Sequence, residues 1–182
     1  MVAWCWASTL NTSQNSSAEK LKMFGQLSHE LEINVPASEA WELYGTLRLA
    51  KLVEEDGTLI QKIELTEGDG GIGTILKLTF PPGTPGFTDY KEKFTKLDNE
   101  KRLKEAEVIE GGYLELGFTF YHNRFEVIEM DNDSCILRST IEYDVKEEAA
   151  ANASYATIDA VAKLAELAKN HLIKNKVSKD TH

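Results

Sequence analysis

Residues 88–126 of the chain run TDYKEKFTKLDNEKRLKEAEVIEGGYLELGFTFYHNRFE. Apolar and polar side chains alternate through much of this stretch, which is the period of a β-strand with one buried face. The segments Asp98-Asn99-Glu100 and Gly111-Gly112 have the residues typical of turns, and they separate three predicted strands at about 88–97, 102–110 and 113–126. Because the connections are short, we expect these strands to pair antiparallel.

Four more strands are predicted around this stretch, at about 27–35, 60–66, 74–80 and 134–145. Two short helices, at about 36–44 and 47–55, follow the first strand. The segment 147–176 lacks Pro and Gly and has apolar residues at helical spacing, which predicts one long amphipathic helix. The expected fold class is therefore α+β: a curved antiparallel sheet of about seven strands wrapped around a long C-terminal helix.

Composition fits one ordinary domain, with 182 residues of which 42% are hydrophobic and 27% charged. We expect a single ligand-binding domain at 23–177, a flexible extension at 1–22 and a flexible tail at 178–182. The formal net charge of −10 argues against nucleic-acid and anionic-membrane partners. A small hydrophobic or aromatic ligand is the expected partner, and the protein is expected to be a monomer or a weak homodimer.

The two cysteines, Cys5 and Cys135, cannot make a disulfide framework, which favours a reducing compartment. The first residues lack the basic region and the longer apolar core of a secretory signal. We therefore expect a cytoplasmic protein, with access to the nucleus left open.

The segment 68–73, Gly-Asp-Gly-Gly-Ile-Gly, matches the dinucleotide-binding pattern G-x-G-x-x-G. That pattern requires a helix after the glycines, whereas the next residues alternate as a strand, so we interpret 68–73 as a hairpin loop. The four histidines lack the spacing of a zinc site. No metal and no cofactor are expected.

Tyr90, Glu92 and Phe94 share one face of the predicted strand 88–97. If this face lines a cavity, it combines a phenol and a carboxylate with an aromatic wall, and Lys104 on the next strand adds an amine. Such a site suits proton transfer on an aromatic ligand. From the residues alone, the simpler interpretation is a cross-strand ion pair of Glu92 and Lys104 on a solvated face.

Several blocks, in the same order, resemble the Bet v 1 / pathogenesis-related class 10 superfamily of plants, which includes the major latex proteins. Within it the chain is more similar to the norcoclaurine synthases. The resemblance extends from Leu27 to about residue 174, and the blocks that carry it are 68–74, 80–83, 90–94, 98–104 and 109–117. It implies a Pictet–Spengler condensation of dopamine with 4-hydroxyphenylacetaldehyde, the entry step of benzylisoquinoline alkaloid synthesis.

The resemblance also implies the roles of the site residues. The catalytic positions of the family fall on Lys104 as proton donor and acceptor, Glu92 as base for the ring proton, and Tyr90 as the residue that orients the substrates. The substrate-binding positions fall on the residues Phe94, Tyr113, Tyr121 and Asn123.

One of these positions departs from the family, which has an aspartate where this chain has Asn123. An amide accepts a hydrogen bond but cannot offset the positive charge of an amine or iminium ion. The neighbouring Arg124 is expected to make the mouth of the pocket repel cations.

Two alternatives to the enzyme therefore stay open. One is a non-enzymatic carrier of hydrophobic plant metabolites or hormones with a part in the defence response. The other is a receptor for abscisic acid, for which the expected gate and latch motifs are missing.

Overall fold

The computed structural model describes residues 22–180, whose strands form one seven-stranded sheet. The strands are β1 (Lys22–Ile33), β2 (Lys62–Glu67), β3 (Ile75–Thr79), β4 (Asp89–Asp98), β5 (Leu103–Gly111), β6 (Phe118–Asp131) and β7 (Ser134–Lys146). Their order across the sheet is β1-β7-β6-β5-β4-β3-β2, and every neighbouring pair is antiparallel. The predicted antiparallel sheet is confirmed.

Within residues 22–180, three α-helices pack against this sheet: α1 (Ala37–Tyr44), α2 (Arg48–Asp56) and α3 (Asp159–Asp180). The first two follow β1, as predicted. Along α3, Ala165 and Ala168 are fully buried, and Val161 and Leu172 are buried with them. Small side chains on this face let the long helix lie close to the sheet, so that the sheet curves around it as expected.

The predicted start of the C-terminal helix at residue 147 is wrong. Glu147–Tyr155 forms a 3₁₀ helix, Ala156 is extended, and α3 begins only at Asp159. In this segment Asn152 Nδ2 donates a hydrogen bond to the Leu116 carbonyl oxygen at 2.8 Å. This long-range contact ties the segment to the chain just before β6, and the absence of Pro and Gly in 147–176 does not reveal it.

The predicted start of a strand at residue 113 is also wrong, because β6 begins at Phe118. Gly111 and Gly112 have φ angles of 73° and 51°, and they turn the chain into a short 3₁₀ helix, Gly112–Leu114. Left-handed backbone is easily adopted by glycine and ends the extended strand. Tyr113 therefore projects from a turn rather than from a strand.

The ends of the fold differ slightly from the prediction. β1 begins at Lys22, paired with Lys146, and ends at Ile33 rather than at residue 35. α3 continues to Asp180, past the predicted start of the tail. The predicted extension, apart from Lys22, lies outside the described residues.

The glycine-rich segment 68–73 connects β2 to β3, so it is a hairpin loop as interpreted from the sequence. Gly68, Gly70 and Gly73 have positive φ angles, and a strand follows them rather than a helix. The segment therefore lacks the helix N-terminus that a dinucleotide site uses. None of the helices in the described part of the chain is long and apolar enough to cross a membrane.

Candidate active site

A cavity of about 150 Å³ lies between the sheet and the helices α2 and α3. Most of its lining is apolar, and Val53 of α2 and Val161 of α3 are among these side chains. The lining includes four residues with polar side chains: Tyr90, Glu92, Lys104 and Asn123. An apolar cavity with a few converging polar groups is the usual form of a small-molecule site.

The alternation of β4 brings three of the predicted site residues to the cavity. Tyr90 and Phe94 are buried, Glu92 between them lines the cavity, and Lys93 points outward and is exposed. Thr74, just before β3, accepts a hydrogen bond from the Phe94 amide through its carbonyl oxygen at 2.9 Å. The sequence pattern alone predicted this shared face.

The interpretation of Glu92 and Lys104 as a solvated cross-strand pair is wrong. Glu92 lies opposite Val108, whereas Lys104 lies opposite Leu97, near the other end of the hairpin. Both side chains line the cavity. The Glu92 and Lys104 side chains therefore face the same cavity from different places on the β4–β5 hairpin.

The Lys104 side chain is buried, with 6% of the residue exposed. Its Nζ donates a hydrogen bond to the Tyr44 carbonyl oxygen at 3.4 Å and lies 3.9 Å from the centroid of the Phe94 ring. Tyr44 is the last residue of α1, where carbonyl oxygens lack partners within the helix and the helix dipole is negative. The end of α1 thus stabilises a buried ammonium group.

Burial moves the pKa values of the two ionisable groups toward each other. It lowers the pKa of the Lys104 ammonium to about 8, although the Glu92 carboxylate opposes this change. It raises the pKa of the Glu92 carboxyl to about 7, although Lys104 acts in the opposite direction. Both groups therefore exchange protons near neutral pH, where general acids and bases are most effective.

Tyr90 supplies a phenol that stays protonated. Burial, followed by the nearby Glu92 carboxylate, raises the pKa of Tyr90 well above its ordinary value. The group can therefore donate a hydrogen bond to a bound oxygen or nitrogen at any physiological pH.

Tyr113 and Tyr121 lie beside the cavity, outside its lining. Their rings stack face to face with centroids 3.6 Å apart, and the Tyr113 centroid is 6.3 Å from that of Tyr90. They can reach a ligand only if the cavity extends past Tyr90. Phe80, which no site prediction included, does line the cavity, and its ring lies 5.2 Å from that of Tyr90.

Asn123 is buried on β6 and lines the cavity, opposite Ala106 of β5 and Ile141 of β7. The expectation that Arg124 repels cations at the mouth of the pocket is wrong. Successive residues of a strand face opposite sides, and Arg124 Nε donates to Glu105 Oε1 at 2.9 Å, away from the cavity. The charge facing a ligand comes from Glu92 and Lys104.

The role of Tyr44 could not be found from the sequence. Its position at the end of a predicted helix, just before Gly45, is visible in the sequence, but its carbonyl contact with Lys104 joins residues 60 positions apart. As for metals, the described residues include no group of three or more His, Cys, Asp or Glu side chains placed to hold an ion.

A curved sheet closed by a long helix over an apolar cavity defines an α+β protein built around an internal cavity. The chain belongs to the Bet v 1 family, described as "Pathogenesis-related protein Bet v 1 family", which it matches over residues 23–175.

Similar proteins include named synthases. The chain is 50% identical over 155 residues to Norbelladine synthase of Narcissus pseudonarcissus, covering 85% of this chain and 95% of that protein. It is 37% identical over 155 residues to S-norcoclaurine synthase 2 of Papaver somniferum, covering 84% and 67%. The structure of norcoclaurine synthase from Thalictrum flavum in complex with dopamine and hydroxybenzaldehyde superposes with a TM-score of 0.76 at 36% identity, covering 84% of this chain and 88% of that one.

Proposed function

We propose that the protein is a norcoclaurine synthase-like enzyme that condenses an arylethylamine such as dopamine with an aryl acetaldehyde inside the cavity. The observation that carries the proposal is the pair Glu92 and Lys104, which face one apolar cavity with pKa values of about 7 and about 8. The synthase names of the relatives support it, as does the complex of one of them with dopamine and hydroxybenzaldehyde.

The condensation begins when the amine nitrogen adds to the aldehyde carbon to give a carbinolamine. The Lys104 ammonium then donates a proton to the carbinolamine oxygen, which leaves as water, and the nitrogen lone pair forms the C=N bond of an iminium ion. Neutral Lys104 can regain a proton from the amine or from solvent. Tyr90 orients the substrate oxygen by a hydrogen bond.

Ring closure follows when a carbon of the electron-rich catechol ring attacks the iminium carbon. The new C–C bond leaves one extra proton on the ring, and the Glu92 carboxylate accepts it, which restores aromaticity. The net reaction joins the two substrates with loss of one water, so it needs neither an oxidant nor a cofactor. The C–C bond-forming step makes the enzyme a lyase of the Pictet–Spenglerase type.

Asn123 weakens this reaction without removing its acid and base. At the position where the family resemblance implies an aspartate, the neutral amide of Asn123 cannot form a charge-assisted hydrogen bond to a cation, a difference of about 1–3 kcal/mol. Glu92 then supplies the negative charge among the cavity-lining residues. We expect slow turnover of dopamine, and restoration by Asn123→Asp.

The test is incubation with dopamine and 4-hydroxyphenylacetaldehyde, followed by chiral chromatography, because the uncatalysed reaction gives racemic product. We expect an enantiomeric excess that Lys104→Ala abolishes. Lys93→Ala, on the exposed face of β4, is the matched control and should retain the excess. Racemic product at the rate of the protein-free blank would refute the proposal for these substrates.

The second candidate is a non-enzymatic carrier of hydrophobic plant metabolites or hormones in the cytoplasm, as a monomer or weak homodimer. The mainly apolar lining and Asn123 favour it. Micromolar binding of such metabolites, unchanged by Lys104→Ala and without product formation, would select the carrier. Phosphatase inhibition that requires abscisic acid would instead indicate a receptor.

A further inference from the structure

Beyond the cavity, a hydrogen bond joins α1 to the hairpin of β4 and β5. Trp41 Nε1 donates to Asn99 Oδ1 at 3.0 Å. Asn99 lies in the turn between the two strands that carry Glu92 and Lys104. Trp41 precedes Tyr44 by three residues, so the two lie about one helical turn apart.

The end of α1 is therefore held at two places. The Tyr44 ring is buried and lies 6.1 Å from the ring of Phe125, the residue that pairs with Lys104 across β5 and β6. One turn earlier, the Trp41 indole reaches Asn99. Gly45 permits this, because a Cβ atom there would come within 2.7 Å of Trp41 Cε2.

Further hydrogen bonds hold the backbone at this end of α1. The Gly45 amide donates to the Trp41 carbonyl oxygen at 2.7 Å, and Thr46 Oγ1 donates to that of Glu42 at 2.8 Å. The Tyr44 carbonyl oxygen accepts from Lys104. A displacement of Trp41 would thus move the acceptor that stabilises the ammonium.

We propose that Trp41 and Asn99 are positioning residues for Lys104, because their hydrogen bond keeps the end of α1 against the hairpin and the Tyr44 carbonyl oxygen on the ammonium. Neither residue touches the cavity. As a statement about catalysis the inference rests on the proposed function, whereas its effect on Lys104 can be measured without substrate.

Few other groups determine the charge of Lys104. Within the cavity lining, β4 presents Glu92 and the protonated Tyr90, β6 presents the neutral Asn123, and α2 and α3 present apolar side chains. The contribution of α1 is the Tyr44 carbonyl dipole. Loosening α1 should therefore lower the proton-binding constant of Lys104, because a buried cation loses part of its stabilisation.

The experiment follows the Cε chemical shift of Lys104 with pH in the full chain labelled with ¹³C-lysine, with Lys104→Met to assign the signal. Asn99→Ala and Trp41→Phe each remove one partner of the bond. We expect either variant to lower the proton-binding constant about threefold, and the double variant to add little more. Asn132→Ala, at an exposed asparagine in the β6–β7 turn, should leave the titration unchanged.

An unchanged Lys104 titration in both Asn99→Ala and Trp41→Phe would overturn the inference, even if either variant lowered the stability of the fold. A shifted titration in a protein without condensing activity would support the positioning role and reject the proposed function. If condensation occurs, the alkaline limb of its pH profile should move with the titration, and a fixed limb would reject a role in catalysis.

Discussion

Replacing Lys104 by methionine should stabilise the protein while abolishing condensation. The wild-type fold holds an ammonium group in an apolar cavity, where burial lowers its pKa from 10.5 to about 8. At 1.36 kcal/mol for each pKa unit, this difference corresponds to a cost of about 3 kcal/mol when the group is charged in both states. Methionine has similar length and no charge, but it loses the contact with the Tyr44 carbonyl. We expect a net gain of about 1–3 kcal/mol in the free energy of unfolding.

The gain in the free energy of unfolding from Lys104→Met should decrease as the pH rises, because Lys104 loses its charge in the folded protein first. Below pH 8 the lysine is protonated in both the folded and the unfolded chain, so its full cost is present. Between about pH 8 and 10.5 the unfolded chain binds more protons than the folded one, and the wild-type stability rises with pH. The advantage of Lys104→Met should thus shrink from about 3 to about 1 kcal/mol between pH 6 and pH 9.5 as an upper estimate.

Urea unfolding at both pH values measures this difference, and the initial rate of product formation measures activity. Lys93→Met is the matched control, because Lys93 is exposed on the same sheet, and its effect should stay within about 0.5 kcal/mol at either pH. A variant Lys104→Met that is less stable than wild type at pH 6, or that gains equally at both pH values, would refute the burial argument. Retained activity would refute the role of Lys104 as proton donor.

Three other predictions follow from the same pKa values and burial. The condensation rate should rise with pH as Glu92 ionises near pH 7 and fall as Lys104 loses its proton near pH 8, and a flat stopped-assay profile between pH 6 and 9 would contradict this assignment. Glu92→Gln should lower kcat by about 100-fold or more, because the amide cannot accept the ring proton. Glu107→Gln, on the face of β5 that points away from the cavity, should leave kcat unchanged. Cys135 is fully buried, and burial raises the pKa of its thiol to about 11. We therefore expect peptide mass spectrometry to find Cys135 alkylated only after the protein is denatured. Alkylation of the native protein would show that the core opens.

Local sequence features predicted most of the fold because they act over a few residues. The alternation in 88–126 places Tyr90, Glu92 and Phe94 on one face whatever the rest of the chain does. The turn residues between strands force short connections, and hence antiparallel pairing. The two largest boundary errors are at the starts of β6 and α3. Glycines with positive φ angles end the strand before Tyr113, and Glu147–Tyr155 forms a 3₁₀ helix that contacts Leu116 through Asn152.

Local sequence features predicted the candidate site only in part. Its residues came from resemblance, and the sequence by itself left Glu92 and Lys104 as a plausible solvated pair. Their enclosure depends on the curvature of the sheet and the packing of α2 and α3, which join residues far apart in the chain. Tyr113 and Tyr121, which the resemblance placed in the site, lie outside the cavity lining.

The sequence by itself determined the strands, their antiparallel pairing and which residues share a face, because alternation and turn chemistry are local properties. Only the tertiary structure decided that Lys104 is buried against the end of α1 and that Glu92 shares its cavity. Proton affinity depends on the surroundings of a group, and those surroundings come from elements brought together by folding.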